Sequence, residues 1–344
     1  MSKIIGVDYL KTPERIFTEA ATLALTEFED LSCLSYIGQR EPRRIPLLPS
    51  WVPDYTVPLT TRPLASSDQF HAGTRWQGRA ETSTSPPYTL TLEGAYVGTV
   101  ATVRRAHWIA SEPNCFLDLI YLALNPVPLL LDSDSGFMDL LRNTLHAELQ
   151  LRVDPAIARQ KMEVSFQRWL FRQIYTVLAQ QHDGLATSFL LDPVETFASA
   201  INTLGISDPL ELLTGSLTGG SIDDEYWRGL MAIAKKGSAE QLFSIFSSAF
   251  ERDTFTNAWT DVCTNRSVFR TEEGYFGLGP NRLLPGDRVY IIKGARVPYV
   301  FRSIQGKGEA AFELRGEVYI QGFMDGEAEA RIGRLFEWTE IIVY

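Results

Sequence analysis

Two acidic side chains flank a glycine at Asp325-Gly326-Glu327, directly after the apolar pair Phe323-Met324. Carboxylates gathered by a turn can act as general acid and base when apolar neighbours raise one pKa, so Asp325 and Glu327 are the candidate catalytic groups. The alternative for the same tripeptide is a solvated turn whose acids accept hydrogen bonds from nearby amides. Trp51 and Asp54, within Leu48-Pro49-Ser50-Trp51-Val52-Pro53-Asp54-Tyr55, set an aromatic face beside a carboxylate, which suits a ligand. The flanking prolines more simply suit a strap that docks on the core, which is the favoured reading. Arg302, at the end of an expected strand, is expected to meet Asp325 or Asp54 as a bidentate pair, with a surface salt bridge as the plainer option. Tyr275, Tyr319 and Gln321 complete the candidate ligand-binding set with Trp51, Asp54 and Arg302.

Familiar catalytic templates are missing. Gly277-Leu278-Gly279-Pro280-Asn281-Arg282 begins like a dinucleotide fingerprint, but Arg282 stands where the third glycine belongs and no helical pattern follows, so a tight turn is expected. Gly215-Ser216-Leu217-Thr218-Gly219-Gly220 lacks the lysine of a phosphate-binding loop and reads as an inter-helix connection. The four histidines, His71, His107, His146 and His182, have no metal-ligand spacing, and neither a metal nor a cofactor is expected.

The elements that would position these groups fall into four segments: residues 1–87, a helix and a proline-rich strap; 88–135, a β-hairpin region; 136–264, a helical block; and 265–344, a β-rich module. Residues 88–344 are expected to form one compact unit. Thr12-Pro13-Glu14-Arg15 caps a helix over residues 12–28, with Ile16, Ala20, Leu23 and Phe28 near one face. Eight of the eighteen prolines lie between Arg40 and Pro87, which rules out long regular elements there. Residues 88–104 read as a hairpin with Glu93-Gly94 as its turn. Asp154-Pro155 opens a helix in which Met162, Phe166, Trp169, Leu170, Ile174, Val177 and Leu178 recur at helical spacing until Gly184. Shorter helices are expected from Asp192, from Asp208, over 223–236 and over 239–250. Residues 288–292, 297–302 and 311–321 read as strands. The fold class is α+β, a central α-helical block flanked by an N-terminal β-hairpin and a C-terminal small antiparallel sheet or barrel.

Composition narrows the function classes. With 344 residues, 45% apolar and 22% charged, the chain can bury a substantial core, and its net charge of −10 disfavours a phosphate backbone as partner. No apolar run approaches a membrane span, and three scattered cysteines, Cys33, Cys115 and Cys263, suit a reducing compartment, so a cytoplasmic location is expected.

The stretches Phe269-Arg270-Thr271-Glu272-Glu273-Gly274-Tyr275-Phe276-Gly277-Leu278-Gly279-Pro280, Pro285-Gly286-Asp287 and Gly316-Glu317-Val318-Tyr319-Ile320-Gln321-Gly322-Phe323-Met324-Asp325-Gly326-Glu327 resemble the carboxyl-terminal module of fungal heterokaryon incompatibility (HET) proteins. Leu48 to Tyr55 resembles the tryptophan-centred motif that follows the effector domain of that family, and Val7-Asp8-Tyr9-Leu10-Lys11-Thr12-Pro13 resembles the closing stretch of that domain. The likeness covers most of residues 4–330, with a poorly matched helical middle. It implies a part in fungal non-self recognition. The killing activity that the family places in an amino-terminal TIR-like effector is not expected of these residues, so the chain should not cleave NAD. Many HET proteins carry histidine where this chain has Gln321, and the resemblance assigns no catalytic role to Asp325 or Glu327.

Two functions follow. As an effector-less homologue, the chain would hold a hydrophobic fungal metabolite in an apolar pocket and act as a cofactor-independent cyclase or isomerase of pericyclase type, chemistry that leaves no sequence motif. The alternative is a non-enzymatic recognition or regulatory module that binds a protein partner. An enclosed, aromatic-lined cavity of roughly 300 Å³ would favour the first, and a filled interior with an exposed apolar patch the second.

Overall fold

A computed structural model describes residues 10–27, 31–38, 43–105, 137–147, 165, 166, 169, 254–330 and 336–344. The chain divides into two compact units, one formed by Met1–His107 with Asp261–Tyr344, the other by Trp108–Thr260.

The first unit is built on a nine-stranded sheet. Its helix α1, Pro13–Glu27, buries Thr18, Ala21 and Leu25. Ile16, Ala20 and Leu23 sit half-buried at the flanks of that stripe, so the helix is turned slightly from the expected face. Thr18 tolerates burial because its hydroxyl donates to the Glu14 carbonyl at 2.7 Å.

The organising element is not a hairpin. After the two-residue strand β1, Glu81–Thr82, the chain runs straight through Glu93-Gly94 as β2, Leu90–Arg105, a single strand of 16 residues. Gly94 marks close packing and not a turn: a Cβ there would lie 2.3 Å from Ile341 Cδ1 and 3.0 Å from Ile292 Cδ1. β2 changes neighbours along its length. The remaining strands are β3, Arg266–Thr271; β4, Phe276–Pro280; β5, Arg288–Ile292; β6, Tyr299–Ser303; β7, Ala311–Glu317; β8, Tyr319–Ile320; and β9, Trp338–Val343. β5, β6, β7, β9 and the first part of β2 close a ring, because β2 pairs with β9 over Leu90–Ala95 and with β5 over Gly94–Thr99. All ladders in it are antiparallel except β7 with β9. The second part of β2 leaves the ring to pair with β3, and β3, β4 and β8 complete a second antiparallel sheet.

A clasp holds the bend between the sheets. The Glu273 carboxylate, in the β3–β4 turn, accepts from Tyr96 Oη at 2.8 Å and from the Thr99 amide at 3.0 Å. Burial first, with Glu273 beside it, pushes the Tyr96 hydroxyl up to about 12, so it stays a donor at physiological pH.

Residues 277–280 also differ from expectation. They form β4 and not a tight turn, and a Cβ on Gly277 would lie 2.5 Å from the Tyr319 carbonyl, so glycine here lets two strands and the Phe269 ring approach closely. The expected strands at 288–292, 297–302 and 311–321 appear as β5, β6 and β7 with β8. β9 had no counterpart in the sequence reading.

The ring is packed with side chains. Leu90, Leu92, Tyr290, Phe301, Phe312, Ile341 and Val343 lie on its inner face by register, each at 6% exposure or less. Tyr290, Phe301 and Phe312 form a mutual edge-to-face set with centroids 5.7 to 6.1 Å apart. Each such contact is worth about 0.5–1.5 kcal/mol beyond area burial. The short helix Leu31–Tyr36 covers Tyr299, whose hydroxyl bonds Ser35 Oγ at 2.7 Å and the Leu31 carbonyl at 3.2 Å.

In the second unit, α2, Phe137–His146, buries Leu141 and Leu145, one turn apart. Phe166, Trp169 and Trp259 form a buried aromatic cluster, with Trp169 centred 6.0 Å from Phe166 and 5.7 Å from Trp259. α3, Thr254–Cys263, leads back into the first unit. The expected helices from Asp154, from Asp192, from Asp208, over 223–236 and over 239–250 lie outside the described residues apart from Ser165, Phe166 and Trp169, so a mixed α and β chain is what the structure supports.

Candidate functional site

The turn after β8 carries the proposed acid pair. Glu327 Oε2 accepts from the Asp325 backbone amide at 2.7 Å, which is the local capping arrangement of an acid-glycine turn. Both acids are exposed. Partial desolvation raises the Asp325 carboxyl above its ordinary value and the nearby His71 opposes this. The turn is anchored to the proline-rich segment, because the His71 amide donates to the Met324 carbonyl at 2.7 Å and Gly326 packs beside Arg75. Gln321 is half-buried with its Oε1 lacking a donor, an acceptor at the lip of the turn.

The two tyrosines of the candidate set are in the core. Tyr275 lies edge-on to Phe323 at 4.9 Å, and Tyr319, fully buried, faces Phe70 at 6.4 Å. Their rings therefore pack against the body of the protein.

Trp51 and Asp54 come together in a strap. Trp51 is fully buried and its Nε1 donates to the Tyr88 carbonyl at 3.3 Å. Asp54 accepts from the amides of Arg44, Ile45 and Thr56 at 2.8 to 3.0 Å and from the Thr56 hydroxyl at 2.6 Å. Burial pushes this carboxyl up, but those donors outweigh it and hold it at about 2. Arg43 stitches the same loop by donating to the carbonyls of Leu48, Pro49, Ser50 and Val52 at 2.6 to 2.9 Å. With its acceptors filled by the strap, Asp54 acts as a hub of loop structure.

Arg302 pairs with neither Asp325 nor Asp54. Its Nε and Nη2 reach the two oxygens of the buried Asp287 at 2.7 and 2.9 Å, a bidentate pair between β6 and the turn before β5. The pairing of β5 with β6 explains the choice, since Asp287 immediately precedes β5 and Arg302 follows Phe301, the partner of Arg288.

The strongest buried electrostatic feature was not anticipated. Glu317, at the end of β7, is fully buried and accepts from Arg266 Nη2 at 3.0 Å and from the amides of Leu64 and Ala65 at 2.5 and 3.1 Å. Arg266, on β3, also donates to the carbonyls of Val262 and Arg62 at 2.7 and 2.9 Å. Burial drives the Glu317 carboxyl above its ordinary value, with Arg266 and the two amides opposing. A lone glutamate in the apolar run Gly316 to Ile320 was the available signal, because a buried acid requires a partner.

The outer wall of the ring presents a different chemistry. Trp76 and Trp338 are half-buried and lie edge-to-face at 5.1 Å, and Lys293 stands 5.0 Å above the Trp338 ring while bonding Glu93 at 2.7 Å. Among the described residues, no group of three or more His, Cys, Asp or Glu side chains is arranged to hold a metal ion. No helix among them is long and apolar enough to cross a membrane.

Residues 218–335 match the family described as the Het-6 beta-barrel domain. The chain is also similar to heterokaryon incompatibility protein 6, OR allele, of Neurospora crassa, at 49% identity over 59 residues. That stretch is 17% of this chain and 9% of the relative. No solved structure matches. The chain carries a HET-family carboxyl-terminal module. The matched span includes β3 to β8, whereas β2 and β9, which close the ring, lie outside it.

Proposed function

We propose that this chain is a recognition module of heterokaryon-incompatibility type, in which the barrel is a filled scaffold and its outer wall meets a protein partner. The observation that carries this reading is the packed ring interior, where even a methyl group on Gly94 would press on Ile341 and Ile292. A cyclase needs a shaped cavity, and Tyr275 and Tyr319, two of the candidate ligand-binding residues, pack against Phe323 and Phe70. The Trp76–Trp338 pair is the kind of aromatic surface that protein interfaces favour. The similarity to a heterokaryon incompatibility protein supports the same biological setting.

The test is a chimaera in which this whole chain is exchanged for a segment of equal length in the Neurospora crassa relative, positioned on the 59 residues that align. Transformants are scored for which strains they reject after fusion. Rejection specificity that follows the transplanted chain is the expected result, and unchanged specificity would overturn the reading.

A further inference from the structure

On the β6–β7 face, away from the tryptophan pair, arginines collect on a chain whose net charge is −10. The ladder between these strands slips between Val300 and Phe301, so that Leu314 and Gly316 have partners and Arg315 falls at the irregularity. Such a bulge re-aims the side chain it carries. The Arg315 guanidinium is poorly satisfied there. Its Nε is buried without an acceptor, and its Nη1 has only a long contact of 3.4 Å to Glu313, itself half-exposed. Burial and the positive charge of Arg302 both disfavour its charged form, with Arg282 adding to them and Asp287 and Glu313 opposing.

The neighbours do not supply the missing anion. Asp287 is committed to Arg302 Nε and Nη2 and to the Leu284 amide, and Arg302 Nη2 also holds the Arg282 carbonyl at 3.1 Å. These bonds leave Nη1 of Arg302 unused. They also fix the backbone of Arg282, whose side chain is exposed. Beside it Leu284 is 52% exposed, a large apolar side chain at the edge of a cationic surface.

We propose that Arg282, Arg302 and Arg315 form an oxyanion site that takes a phosphate monoester, with Leu284 beneath the organic portion. Guanidinium groups match phosphate oxygens in geometry and charge, and an added dianion would complete the compensation that the long Glu313 contact only begins at Arg315. The site is separate from the Trp76–Trp338 wall, so it stands whether or not that wall binds a protein partner.

Thermal unfolding of the whole chain tests it, with inorganic phosphate and phenyl phosphate as probes against potassium chloride at matched ionic strength. Saturable stabilisation by both is expected, with phenyl phosphate acting at the lower concentration. Equal potency would assign the site to free phosphate and overturn the role of Leu284. Arg315→Gln should weaken both by about tenfold, the usual scale for losing a charge-assisted contact. Should that variant fold poorly, Arg282→Gln, at an exposed position, is expected to weaken binding in the same direction. No saturable shift with either probe, or a shift that survives both substitutions, overturns the proposal.

Discussion

The inside and the outside of the barrel differ in what they leave available. Inside, apolar side chains and the aromatic set of Tyr290, Phe301 and Phe312 line the ring, and a Cβ on Gly94 would lie 2.3 Å from Ile341 Cδ1. Outside, Trp76, Trp338 and Lys293 are partly exposed and organised by contacts among themselves. On the proposed reading, the interior serves packing and the wall meets the partner.

Removing half of the buried ion pair should disturb the interior most. Glu317→Ala would strand the Arg266 charge and two backbone amides, at a cost of about 3–5 kcal/mol in denaturant unfolding. A double substitution, Glu317→Leu with Arg266→Met, is expected to recover much of that loss, and a single-variant cost below about 1 kcal/mol would show that water reaches the pair. Gly94→Val comes next. Overpacking should cost about 1–3 kcal/mol, and a neutral result would reveal room inside the ring.

Asp54 sharpens the contrast through pH. Its folded pKa, about 2, lies below its ordinary value of 3.8, so its contribution is present above pH 3.8 and is lost as the pH falls towards 2. Glu317 shifts the other way, because burial outweighs its partners and the folded state holds a proton more readily than the unfolded chain. Its share therefore weakens as pH rises above 4.5, the ordinary glutamate value. Acid unfolding curves of Asp54→Ala should lack the loss of stability between pH 3.8 and 2 that the parent shows. A parental slope retained in the variant would place that titration elsewhere.

Local pattern made part of this fold readable. Alternating β-branched and aromatic residues marked β5, β6 and β7, and Thr12-Pro13 marked the start of α1. What escaped was pairing across long separations. Gly94 reads as a turn because its reason for being glycine is Ile341, and Thr339 bonds the Gly94 carbonyl from 245 residues away. The same holds for Gly277, whose close neighbours are Phe269 and Tyr319. Among the candidate residues, the strap reading of Trp51 followed from its prolines, whereas the choice of Asp287 by Arg302 and the meeting of Glu317 with Arg266 depend on which strands adjoin.

The smallest expected effect on stability carries the largest on function. In the chimaera with the Neurospora crassa relative, Trp76→Ala with Trp338→Ala should cost less stability than the buried-pair and Gly94 substitutions, since neither ring is fully buried, yet should abolish rejection of the partner strain. Measuring rejection alongside the unfolding midpoint of this double variant tests the outer-wall account most directly. Near-parental stability with lost rejection is predicted, and near-parental stability with intact rejection would contradict it.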